Sequence, residues 1–370
     1  MEMSKKAKTL GLHASRTPHQ VKRLCAVEAE DAGLRLPRWI TLSGLECGAA
    51  DPDFCNDALG KLGDDYFINS RTTLERLSEV GFEGFRIPFC WERLQPQLGG
   101  PLDPDGIQQL RYLIGVARSV DRSVILSMHN AGRYTMRVAG VPTACGLEEA
   151  VDGRVRVTAE HFAEFWSRMS HALCGLPNLL GYGLMSAASG LPDGAWQMSS
   201  QAAVDAIRAD GDIIPIYVAG IGSSRTSTWG DDNPEAPWIE DPVDEIIYEA
   251  GCYLDCNESG QYDLPFAEEL ASDPKLPSRA ESRLKPFLEW LETSGAKGAV
   301  TQFGVPCDDF RWASLLPEML HRLEEASVLS VWWAAGDHLD DHPLSFQFTG
   351  RNAAPRPAQV ELLRGAIRSA

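Results

Sequence analysis

Eight short apolar runs recur along this chain, and amphipathic or loop segments separate them. They are Trp39–Glu46 (WITLSGLE), Gly84–Phe89 (GFRIPF), Ser123–Met128 (SVILSM), Leu180–Met185 (LGYGLM), Ile213–Ala219 (IIPIYVA), Glu245–Ala250 (EIIYEA), Gly298–Phe303 (GAVTQF) and Leu329–Ala335 (LSVWWAA). Most are continuously apolar rather than alternating. That is the pattern of strands buried on both faces, as in a parallel sheet. Helical periodicity follows in SRTTLERLSEVG (70–81), DGIQQLRYLIGVARSV (105–120), TAEHFAEFWSRMSHALCG (158–175) and ESRLKPFLEWLETSG (281–295). Two later stretches, 315–327 and 359–369, carry the same signal. Strand then helix, repeated eight times, predicts an α/β chain folded as a single (β/α)8 TIM barrel. Two gaps, 98–102 and 223–244, are polar or rich in Gly and Pro, and read as long loops on the C-terminal face of the barrel. No solenoid repeat, coiled coil or low-complexity tract interrupts the pattern.

A length of 370 residues fits one such barrel without requiring a second domain. The N-terminal stretch MEMSKKAKTLGLHASRTPHQVKRLC is basic and lacks an apolar core, so it does not read as a secretory signal. The expected organisation is a basic, flexible tail over residues 1–35 and the barrel over 36–370. The net charge of −18 argues against nucleic acid as a partner, because phosphate binding needs a basic face. No apolar run is long enough to span a bilayer, so no transmembrane segment is expected. Nine cysteines without a regular framework are expected to be reduced thiols of a cytoplasmic protein. No cofactor or metal is expected.

Residues 81–96 read GFEGFRIPFCWERLQP. This segment resembles glycoside hydrolase family 5, in its endo-β-1,4-glucanase (cellulase) branch. GLECG (44–48), SMHNAGRY (127–134), GYGLM (181–185), the stretch 195–208, Tyr253-Leu254-Asp255, QFG (302–304) and WWAAG (332–336) resemble further segments of that branch in order. The resemblance covers roughly residues 38–350. It implies a barrel-top cleft for a β-linked glucan or oligosaccharide and two catalytic glutamates. In retaining enzymes such carboxylates stand about 5–5.5 Å apart, one as nucleophile and one as acid/base.

At the matching positions both glutamates are absent. Ser186-Ala187-Ala188 stands where the branch has Asn-Glu-Pro, so Ala187 takes the acid/base position. Thr301-Gln302-Phe303-Gly304 stands at Gly-Glu-Phe-Gly, so Gln302 takes the nucleophile position. Gly251-Cys252-Tyr253 stands at His-x-Tyr. A methyl group cannot move a proton, and a neutral amide hydrogen-bonds but is a very poor nucleophile. The resemblance implies retained sugar contacts at Arg86, His129, Asn130, Ser186, Tyr253, Gln302 and Trp333, with Trp229, Trp91 and Glu46 nearby. The bland alternative is that these residues only pack the barrel top, with Arg86 paired to a neighbouring carboxylate.

Three functions follow as expectations. The first is a catalytically silent homologue that binds a β-glucan, in polysaccharide synthesis or sensing. The second is an active hydrolase using other groups such as Asp255, Glu46 or His338. The third is a scaffold for a protein partner, with a dead cleft. The run Asp337-His338-Leu339-Asp340-Asp341-His342 has no definite metal-ligand spacing and reads as a solvated acidic loop. Cys47, Cys90, Cys252, Cys256 and Cys307 fall near strand ends and read as packing thiols. His161 and His171 read as helix-surface or packing residues.

Overall fold

A computed structural model describes residues 39–307, 309–339 and 342–346. The expected tail over 1–35, the helical pattern at 359–369, and Asp340 and Asp341 lie outside the described residues. The strands are β1 (Trp39–Leu42), β2 (Gly84–Phe89), β3 (Ser123–Met128), β4 (Arg133–Val138), β5 (Val141–Gly146), β6 (Ala150–Val151), β7 (Arg154–Val155), β8 (Leu179–Gly183), β9 (Ile216–Ala219), β10 (Ile246–Gly251), β11 (Lys297–Phe303) and β12 (Leu329–Ala335). Eight of them close a parallel barrel in the order β1-β2-β3-β8-β9-β10-β11-β12, with β12 pairing back onto β1. All eight expected strands are present, because continuous apolar runs have nowhere to go except a sheet buried on both faces.

The major helices are α1 (Arg71–Val80), α2 (Pro104–Ser119), α3 (Ala159–Leu173), α4 (Ala195–Ala209), α5 (Arg279–Ser294) and α6 (Leu316–Glu325). Their starts are set by local chemistry. Ser70 caps α1 by accepting from the Thr73 amide, and Asp103 caps α2 through the Gly106 amide, with Pro104 in the first turn. Thr158 caps α3, and His161 completes a reciprocal capping box, so His161 serves the helix end.

The structure departs from the sequence reading in three places. β1 ends at Leu42 and not at Glu46, because the ladder is interrupted at Gly44, whose carbonyl accepts from the Phe67 amide, although Ser43 still donates to Ala335 and Leu45 still bridges Phe89. The fifth strand, β9, has no full helix behind it; the 223–244 loop holds only the single turn Trp229–Asp232, which packs against α5. Between β3 and α3 lie two small hairpins, β4–β5 and β6–β7, which sequence reading missed. The Asp152-Gly153 pair at the tip of β6–β7, both with positive φ (52° and 74°), is the Asp-Gly hairpin signal and was available in the sequence. The β4–β5 tip, Ala139-Gly140, takes the same conformation with a weaker signal. None of the helices in the described residues is long and apolar enough to cross a membrane.

Candidate functional site

The C-terminal ends of β3, β8, β10, β11 and β12 meet at one end of the barrel, the end at which βα loops build sites. There His129, Ala187, Gly251, Tyr253, Gln302 and Trp333 are each half-buried, while most of their chain neighbours are fully buried. Beneath them lies a charged pair. Arg86, on β2, is fully buried, and its Nη2 donates to both carboxylate oxygens of Glu249 on β10 at 3.2 Å. Arg86 Nη1 lies 2.9 Å from His129 Nε2. A guanidinium has no acceptor, so it donates, and Nε2 must be the unprotonated nitrogen of a neutral imidazole. Burial, with the Arg86 charge adding to it, holds the His129 pKa well below the usual histidine range. The amide of His129 donates to the Phe89 carbonyl at 2.9 Å. The imidazole lies nearly parallel to the Trp333 indole, with 10° between planes and 5.7 Å between centroids.

The β10 end carries Tyr253. Its ring lies over Gly260, whose φ of +74° and close approach to that ring exclude any larger residue. Asp255, almost fully buried, holds this turn by accepting from the Ser259 and Gly260 amides and the Ser259 hydroxyl. Arg283, on α5, donates to the Tyr253 carbonyl and pairs with Glu258 at 3.1 Å. Burial pushes the Tyr253 hydroxyl pKa up, with Arg86 opposing the shift, so it stays protonated and can donate. Gly251 faces Gln302 across the β10–β11 ladder. A Cβ on Gly251 would sit 3.6 Å from the Gln302 Cβ and 3.9 Å from its Oε1.

Ser186 is buried, and its amide donates to the Met128 carbonyl at 2.8 Å. Ala187 follows with φ +49°, a left-handed conformation that few non-glycine residues adopt. Neither the Ala187 methyl nor the Gln302 amide can act as a general acid or carboxylate nucleophile.

Three expected ligand contacts need correction. Trp229 is wholly buried against Tyr248, Phe287 and Trp290, with Gly220 beneath it, so no ring face is open to a ligand. Trp91 is likewise core, packed on Tyr134, Phe162 and Phe165, with its Nε1 on Gln95. Asn130 accepts from the Trp91 amide and donates to Glu92, which commits its amide to holding loops together. The WERLQP motif is thus a loop organiser: Glu92 and Gln95 are fully buried and bridge segments distant in sequence.

The remaining carboxylates near the barrel mouth are also engaged. Glu46 accepts from the Ser43 hydroxyl and from the Gly44 amide at 2.8 Å, and burial raises its pKa. Asp337 accepts from Ser70 and Thr73 at the start of α1. His338 stacks on Phe67 at 4.6 Å and lies 3.0 Å from Cys47 Sγ, whose pKa burial pushes up to about 11, so the thiol stays protonated. No group of three or more metal-ligating side chains occurs among the described residues, and the eight described cysteines are free. Sequence reading missed the positioning roles of Arg283 and Gly260.

Comparison with known proteins agrees with the fold. The family model "Cellulase (glycosyl hydrolase family 5)" matches residues 40–339. Endo-beta-1,4-glucanase B of Emericella nidulans is 24% identical over 293 residues, 78% of this chain and 81% of the relative. Endo-beta-1,4-glucanase A of the same organism is 27% identical over 300 residues, 78% of this chain and 82% of the relative. Among solved structures, the Pseudomonas stutzeri endoglucanase Cel5A in complex with cellobiose is similar with a TM-score of 0.73 and 30% identity, covering 89% of this chain and 92% of that one.

Proposed function

The chain belongs to the cellulase family, glycosyl hydrolase family 5, and on that premise we propose that it binds a β-linked glucan or oligosaccharide at the barrel mouth without hydrolysing it by the family route. The observation that carries this reading is the pairing of a retained binding floor with inert flanks. Arg86 on β2, His129 just after β3, Tyr253 just after β10 and Trp333 on β12 lie at one end of the barrel, while Ala187, past the end of β8, and Gln302 on β11 stand at the positions that the family resemblance assigns to the two carboxyl groups. Stacking and hydrogen bonds bind a sugar without any nucleophile. Trp333 supplies the stacking face. His129 and Tyr253 supply polar edges, and the Arg86–Glu249 pair fixes their position. The Pseudomonas stutzeri neighbour was solved with cellobiose, which supports this ligand class.

Calorimetry with cellotetraose tests the reading. Wild type is expected to bind saturably, and Trp333→Ala to bind about 5- to 30-fold more weakly, since loss of one aromatic platform removes about 1–2 kcal/mol. No heat from any cello-oligosaccharide overturns it.

The endoglucanase relatives favour a second reading, hydrolysis with other groups. Glu46 is the carboxyl suited to it, because its raised pKa fits a general acid. Under that reading wild type releases reducing sugar and Glu46→Gln does not.

A further inference from the structure

A cavity of about 190 Å³ lies beside the barrel mouth, between the first two βα loops. Leu45 and Leu59 come from the loop after β1, Phe89 is the last residue of β2, and Arg93 and Leu94 follow it. The start of α2, with its cap Asp103, closes the other side. A cavity of about 150 Å³ holds one benzene ring, so the space suits one six-membered ring and excludes an oligosaccharide. The walls are mixed. The leucines and Phe89 offer an apolar face, and Arg93, Asp103, Asp105 and Gln109 offer polar edges.

Arg93 is the most constrained of these. Only 7% of it is exposed; its Nε donates to the Leu59 carbonyl at 2.9 Å and its Nη1 to the Leu45 carbonyl at 2.7 Å. Its guanidinium lies 4.0 Å from the centroid of the Tyr66 ring. Its buried Nη2 has no partner among the described residues, an unusual state for a charged donor. The lining charges are one arginine against Asp103 and Asp105, so an anion is repelled and a neutral ligand is favoured.

We propose that this cavity is a second ligand site, which takes a single neutral pyranose. The ring would set its C–H face on Leu45, Leu59 and Phe89, and its hydroxyls toward Arg93, Asp103 and Gln109. The site is separate from the cleft and does not rest on the reading of it. The test is methyl NMR of the full chain in a Trp333→Ala background, titrated with glucose. Saturable shifts are expected at the Leu45, Leu59 and Leu94 methyls, with glucuronate binding at least tenfold more weakly. Leu59→Trp fills the cavity and is expected to abolish the Leu45 and Leu94 shifts; Gln109→Ala, at a half-buried helix position, is expected to weaken glucose several-fold and serves if Leu59→Trp fails to fold. Absence of saturable shifts at these methyls, shifts indifferent to both substitutions, or glucuronate binding as well as glucose overturns the proposal. Cellotetraose calorimetry reports on the cleft alone, so the two readings fail independently.

Discussion

His129 is held between a cation and an indole, and the cation together with burial keeps it neutral. Arg86 donates to its Nε2, and burial excludes the water that an imidazolium would need. The sign of the pH effect follows. The unfolded chain takes up a proton near pH 6.5, while the folded chain resists it to well below that value. Stability from this residue is therefore complete above pH 6.5 and is lost as pH falls from 6.5 toward the lowered folded value. Urea unfolding of wild type and His129→Gln between pH 5 and 8 is expected to diverge only on the acid side, by up to about 1.4 kcal/mol per pH unit. Parallel curves would mean that the imidazole is not held neutral. At this scale the sequence pointed to the right residue types but not to their surroundings. Trp229 and Trp333 look alike in sequence, yet one is sealed among Tyr248, Phe287 and Trp290 and the other keeps an open edge at the barrel mouth.

Elements are joined here by buried polar side chains more than by loop length. Glu92 follows β2 by three residues, yet its carboxylate accepts from the Thr135 amide in β4 and from Asn130 after β3. It is fully buried, and desolvation raises its pKa while those donors oppose the shift. Glu92→Ala leaves both donors without an acceptor, and a stability loss of about 2–4 kcal/mol is expected. Hydrogen exchange locates the effect: amides of residues 133–146 are expected to lose at least tenfold in protection while β10 and β11 keep theirs. Unchanged protection of the hairpin would show that Glu92 does not anchor it. The eight barrel strands and the long amphipathic helices were legible in the sequence, because both patterns are local. The β4–β5 hairpin was not, since its residues are neither strongly apolar nor marked by Asn-Gly or Asp-Gly, and Glu92 fixes it from outside.

At the scale of the whole molecule, the described residues form a barrel whose mouth combines a packed ionic floor with neutral flanks, and the decisive test restores what the family resemblance says is missing. Ala187→Glu, Gln302→Glu and Gly251→His together are expected to give measurable hydrolysis of cellopentaose, against the blank rate for wild type. A Cβ on Gly251 meets Gln302 only at ordinary contact distance, and position 187 already holds a Cβ at φ +49°. Failure of a folded triple variant to hydrolyse any β-glucan, while still binding it, would mean that the cleft is not built around these positions. By itself the sequence determined the barrel, through eight apolar runs too continuous for a half-exposed sheet, and its family resemblance pointed to Ala187, Gln302 and Gly251 as the positions without the expected carboxyl and imidazole groups. Only the tertiary structure decided what surrounds them: that Arg86 is neutralised by Glu249, 163 residues away, that Asn130 and Trp91 serve the loops, and that Trp229 belongs to the core. The physical reason is range. Periodicity and side-chain chemistry are written along the chain, but burial and charge pairing depend on neighbours that only barrel closure brings together.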